Sequence, residues 1–183
     1  MRLRRSIARL AGAFIAAAML ATSAGSAVAD NVLRISREQD STTFDPIYTI
    51  LAPDVWVLNQ FYSTLVRANE DATDIIPDLA ESWEIAPDGL AYTFHLRDAK
   101  FSDGTQVKAS DVKFSLERLR DEESAPMRSL YQVIHEIETP DDKTVILRLS
   151  QPYTPLMSAL AMFAASIVPE HAVKEKGERF GEE

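Results

Sequence analysis
His95, His135 and His171 are the side chains best suited to metal binding or proton transfer, and their spacing supports neither. None has a second histidine one helical turn away, so the paired-imidazole pattern of a helical zinc site is absent. Asp121-Glu122-Glu123 sets three carboxylates side by side. A calcium loop instead alternates its ligands and turns on a glycine, so this run reads as a solvated face. No serine lies in a nucleophile elbow, and no glycine-rich loop could cradle a phosphate or dinucleotide. The Ser, His and Asp residues show no spacing that singles out a triad, which only geometry defines. The chain has no cysteine, which removes thiol catalysis and disulfides. No catalytic residue, metal or cofactor is expected, and the chain is not read as an enzyme.

The elements that would position other functional residues are clearest between residues 77 and 119. Residues 81–85 can run extended, and Pro87-Asp88-Gly89 is turn chemistry. From 91 to 97, Tyr92, Phe94 and Leu96 alternate with Thr93, His95 and Arg97, the period of a half-buried strand. A hairpin over 81–97 follows. Asp103-Gly104 marks a second turn. A helix begins near Ala109, with Val112, Ser115, Leu116 and Leu119 on one face.

Within this stretch stand Leu79-Ala80-Glu81-Ser82-Trp83, Asp88-Gly89, Tyr92-Thr93-Phe94-His95-Leu96-Arg97, Phe101-Ser102-Asp103-Gly104 and Ala109-Ser110-Asp111-Val112. In this order and spacing they resemble the signature of bacterial extracellular solute-binding family 5, the peptide- and nickel-type receptors of ABC importers. One departure is Lys108, where the family carries Thr or Ser as a helix cap. Lysine cannot accept the first helical N–H bonds, so the helix start is expected to loosen or shift to Ser110.

The first residues read as an export signal. Arg2, Arg4, Arg5 and Arg9 precede an apolar run over 10–20, and Ala27-Val28-Ala29 is a small-x-small cleavage site. Cleavage between Ala29 and Asp30 would leave 154 residues, with 15 basic against 28 acidic side chains and a net charge of −13. Such acidity argues against nucleic-acid or anionic-membrane binding. Without a cysteine to carry lipid, the mature protein is expected free in a periplasm. Arg4-Arg5 leaves the twin-arginine route open beside the general secretory one.

Residues 31–37 read as a strand, with Leu33 and Ile35 on one face, and Asp45-Pro46 as a loop. Pro53 suits the first turn of a helix on which Val55, Leu58, Tyr62 and Leu65 follow helical spacing. Trp56 and Phe61 are read as core or lobe-packing residues. Strands over 133–139 and 144–149 flank a turn at 140–143. A compact apolar helix is expected over 156–164, a strand over 165–168, and a final helix from Pro169.

The resemblance implies an α+β fold: part of a two-lobe periplasmic-binding-protein type II architecture, incomplete here, with a small accessory lobe of hairpins and helices. It divides the chain into a first segment of lobe I over 30–61, the accessory lobe over 62–167, and a return toward lobe I over 168–183. It further implies a monomeric receptor that captures a peptide or similar small solute and delivers it to an inner-membrane ABC permease. Relatives bring a loop after the Asp-Pro element into the cleft, which nominates Tyr48, Thr49 and Ile50. Met162 and Phe163 fall near the same cleft, although core packing accounts for each of them as well. Tyr131 is a further candidate to reach it. The relatives are much longer, so the chain is expected to be an N-terminal portion. A secreted enzyme with an unrecognised site and a chemosensory receptor are the alternative readings.

Overall fold
Pro53 stands in the first turn of helix α1 (Ala52–Phe61), a position that needs no backbone N–H. A computed structural model describes residues 35–37 and 39–182. The expected signal, its Ala29/Asp30 boundary and residues 31–34 of the expected first strand lie outside the described residues. Residues 35–37 are described and form no strand, and Ile35 is exposed. Helix α1 stops at Phe61, so Tyr62 caps its end and Leu65 lies beyond it, buried at a bend in the chain.

Strands β1 (Val66–Ala68) and β2 (Ile75–Pro77) form a short antiparallel hairpin that the polar 69–73 stretch had concealed. The Asn69 side chain closes it by accepting the N–H groups of Thr73 at 2.9 Å and Asp74 at 3.2 Å. Strands β3 (Ala80–Ile85) and β4 (Ala91–Leu96) form the expected hairpin. Its turn is closed by Gly89 N–H to Ala86 O at 2.8 Å and Leu90 N–H to the Asp88 carboxylate at 2.9 Å. Tyr92, Phe94 and Leu96 are buried, as the alternation requires.

Helix α2 (Ala109–Asp121) buries Val112, Ser115, Leu116 and Leu119. It begins at Ala109 despite Lys108, so the expected shift to Ser110 does not occur. The Asp111 carboxylate reaches back to accept the Lys108 N–H at 3.0 Å, and the Asp142 carbonyl accepts the Ala109 N–H at 2.9 Å. These bonds satisfy backbone donors that a lysine side chain could not.

Strands β5 (Ile134–Glu138) and β6 (Thr144–Leu149) form the second expected hairpin, and β6 pairs with β4. The sheet order is β3-β4-β6-β5, antiparallel throughout. Val145, Leu147 and Leu149 join Phe94 in one core. Trp83, on edge strand β3, has a strand neighbour on one side only and is half-buried.

Helix α3 (Leu156–Leu160) is shorter than the 156–164 helix expected. The chain turns extended at Met162, then makes a 3-10 turn at Phe163–Ala165. That change of direction brings Ala164, Ala165 and Ile167 into the core along with Leu156 and Leu160. Residues 165–168 are not a strand. Ile167 N–H donates to Ser63 O at 2.9 Å, and Val168 N–H finds the Ser115 hydroxyl at 3.0 Å in place of a ladder. Helix α4 (Glu170–Lys176) follows Pro169, as expected. Arg37–Glu183 forms one compact unit; of the other unit, Met1–Ser36, only residues 35 and 36 are described.

Candidate functional site
The loop ahead of α1 is built around two buried carboxylates. Pro46 fixes the chain direction after Asp45, and the Asp45 main-chain and side-chain oxygens accept the N–H groups of Tyr48 at 3.3 Å and Ile47 at 3.4 Å. Asp45 also receives both guanidinium nitrogens of Arg118, from the last turns of α2, one of them at 2.9 Å. The guanidinium lies 5.5 Å from the Tyr48 ring centroid and 5.8 Å from that of Phe180, within cation–π range. Burial opposes the Arg118 charge, yet the Asp45 carboxylate more than restores it, and its pKa stands above the ordinary value.

Asp54, in the first turn of α1, is the second carboxylate. It accepts the Thr42 N–H and hydroxyl, both at 2.7 Å, and the Thr49 hydroxyl at 2.6 Å. Burial opposes its ionisation, but the bonds from Thr49 and Thr42 outweigh burial and hold the acid below its usual pKa. Thr49 in turn accepts the Leu51 N–H at 3.0 Å.

These contacts separate the three loop candidates. Thr49 is drawn inward and is 4% exposed, whereas Tyr48 is 43% and Ile50 62% exposed. Thr49 is therefore a structural hydroxyl in this conformation, and Tyr48 and Ile50 are displayed. Trp56 and Phe61, expected as core or lobe-packing residues, are 68% and 53% exposed, which corrects the core half of that reading. Helix α1 turns Leu58 inward and leaves Trp56 and Phe61 on its outer side. Burial raises the Tyr48 phenol pKa, which Arg118 pulls down and the charges of Glu122 and Asp45 push up.

Met162 and Phe163 are both half-buried, and Phe163 packs against the core. Tyr131 does not reach a cleft: it is fully buried, its hydroxyl donates to Ala159 O at 2.7 Å, and burial raises its pKa. One cavity, of about 440 Å³, is bordered by residues including Tyr62, Leu79, Lys100, Asp103 and Ile167. A second, of about 300 Å³, is bordered by residues including Phe44, Val57, Phe61 and Gly181. None of Tyr48, Thr49, Ile50, Met162 or Phe163 lines either. Tyr62 borders both, and its phenol is pushed up to about 12 by burial and then by Asp45. Among the described residues no group of His, Asp and Glu is arranged to hold a metal. His171 pairs with Asp103 at 2.8 Å on the surface.

The sequence motifs did not single out Asp54, Arg118 or Gly181. The Asp45-Pro46 dipeptide was their only local trace, because the pairing of Asp45 with Arg118 spans 73 positions.

The family described as bacterial extracellular solute-binding proteins, family 5 (middle region), matches residues 74–183. The Escherichia coli protein named "Probable D,D-dipeptide-binding periplasmic protein DdpA" is 39% identical over 157 residues, covering 83% of this chain and 30% of its own length. Among solved structures, the periplasmic binding protein AgaA of A. tumefaciens, in complex with agropinic acid, has a TM-score of 0.72 at 40% identity. That match covers 75% of this chain and 28% of AgaA. The Haemophilus influenzae OppA complex with the peptide RPPGFSPFR has a TM-score of 0.69 at 29% identity, covering 75% of this chain and 30% of that one. The chain thus spans about 30% of the length of these relatives.

Proposed function
The chain belongs to family 5 of the bacterial extracellular solute-binding proteins, and from that premise we propose that it serves an ABC importer by capturing peptides or similar small solutes. The captured solute passes to an inner-membrane permease. The family is one of transport receptors, not of enzymes, and in this reading the solute is released chemically unchanged.

The observation that carries the reading is the loop of residues 47–51, which holds Thr49 inward and leaves Tyr48 and Ile50 exposed; in this reading those two side chains form one wall of a cleft. Met162 and Phe163 are proposed to extend that wall. A second lobe would close on it, since a receptor of this kind works by favouring the closed state through its differential affinity for solute. Residues 62–167 are the accessory lobe of this scheme, and 30–61 and 168–183 belong to lobe I. The Phe44 N–H to Gly181 O bond, at 2.7 Å, is consistent with these two flanks meeting. Export through cleavage between Ala29 and Asp30, without a lipid anchor, and action as a monomer complete the proposal.

The test is uptake of a labelled dipeptide and a labelled tetrapeptide in cells lacking the gene and in cells with it restored. Loss of uptake on deletion and recovery on restoration are expected. Equal uptake in both strains, or recovery of hydrolysed peptide from the purified protein, would sink the reading.

A further inference from the structure
The Tyr48–Leu51 loop has no ladder to hold it; side chains fix its path. Asp45 is 1% exposed, and a carboxylate that deeply buried must keep its partner. Its partner Arg118 is anchored from the other side: α2 is seated in the core through Leu116 and Leu119, and Phe180 lies against the guanidinium. A rigid helix therefore fixes Arg118, Arg118 fixes Asp45, and Pro46 sends the chain onward in one direction. Two residues later Tyr48 emerges with its ring against the same guanidinium.

We propose that Arg118 and Asp45 are positioning residues for the Tyr48–Leu51 loop, and that their pairing decides which loop side chains face the cleft. Describing that face as a solute wall rests on the function proposed above; the positioning itself does not. One consequence concerns solute chemistry. Both Asp45 oxygens engage Arg118, so this cation is occupied and does not receive a solute carboxylate. The wall offers a phenol and an aliphatic side chain, Tyr48 and Ile50, suited to the apolar parts of a solute.

The test uses the 183-residue chain labelled with 3-fluorotyrosine, the Tyr48 resonance being assigned through Tyr48→Phe. Asp45→Asn removes the charge at nearly constant shape. Arg118→Lys keeps the charge and loses the planar two-point contact. Both should move the Tyr48 resonance and speed amide exchange at Ile47 and Tyr48 by about tenfold or more, while the buried Tyr131 resonance stays in place. Leu149→Ala, a core truncation on β6, is the control for general destabilisation and should leave the Tyr48 resonance unmoved. If Asp45→Asn fails to fold, Arg118→Lys carries the test. An unmoved Tyr48 resonance in the folded pair variants, or an equal displacement in Leu149→Ala, overturns the proposal. Ile50→Ala in the uptake assay separates the two readings. If uptake is unchanged while the Tyr48 resonance responds as expected, the positioning stands and the solute wall falls.

Discussion
Asp54 concentrates in one side chain the forces that shape the loop. Three donor bonds converge on a carboxylate with no exposed surface. Removing it strands the Thr42 and Thr49 groups, so Asp54→Ala should cost about 1–3 kcal/mol at neutral pH. The dependence on pH has a definite sign. The folded-state pKa lies below the unfolded value, so the contribution is complete above about pH 4 and is lost as pH falls through the folded pKa. The gap in denaturant midpoint between wild type and Asp54→Ala should therefore narrow as pH falls below about 4; an undiminished gap down to the acid limit of folding would show that the ionised form is not favoured. Thr49 shows why the site was only partly legible. Residues 48–50 are three neighbours in sequence with nothing local to rank them. The rank comes from one hydroxyl reaching Asp54, a contact set by the helix start five residues on.

Legibility was greatest where period and turn chemistry agree. The alternation of Tyr92, Phe94 and Leu96, bounded by Pro87-Asp88-Gly89, produced β3 and β4, and Val145, Leu147 and Leu149 produced β6. It failed for short pieces whose form depends on distant partners. Strands β1 and β2 have three residues each, too few to show a period, and residues 156–164 are apolar apart from Ser158, so nothing local marks the break at Met162. Trp83 and Phe94 pair across the β3–β4 register, yet they differ in burial because Phe94 is on an interior strand and Trp83 on an edge. Phe94→Ala should cost about 3–5 kcal/mol. Trp83→Ala should cost clearly less, despite the larger side chain, because part of its surface already meets water. Chemical denaturation of both variants decides this, and equal losses would mean that the edge strand is as deeply packed as the centre.

Over the whole molecule, the chain is drawn together by contacts that no local pattern contains. Phe44 N–H donates to Gly181 O at 2.7 Å, joining residues more than a hundred positions apart. Gly181 has φ +94°, and a Cβ there would lie 2.8 Å from Asp45 Cβ and 2.9 Å from Thr43 Oγ1, too close for any side chain. Gly181→Ala therefore carries both backbone strain and a steric push against Asp45, the partner of Arg118. Gly104 provides the comparison: its φ is +88°, but the corresponding Cβ would meet nothing within 4 Å. Gly104→Ala should show the cost of backbone strain alone, about 1 kcal/mol or somewhat more. Gly181→Ala should exceed it measurably in denaturant midpoint, and amide exchange at Phe44 should quicken in that variant only. The surplus is the contribution of close approach between the Gly181 turn and the Asp45 loop. If the two substitutions have equal effects and Phe44 exchange is unchanged, that approach is incidental, and the loop is held by Arg118 and Asp54 without it.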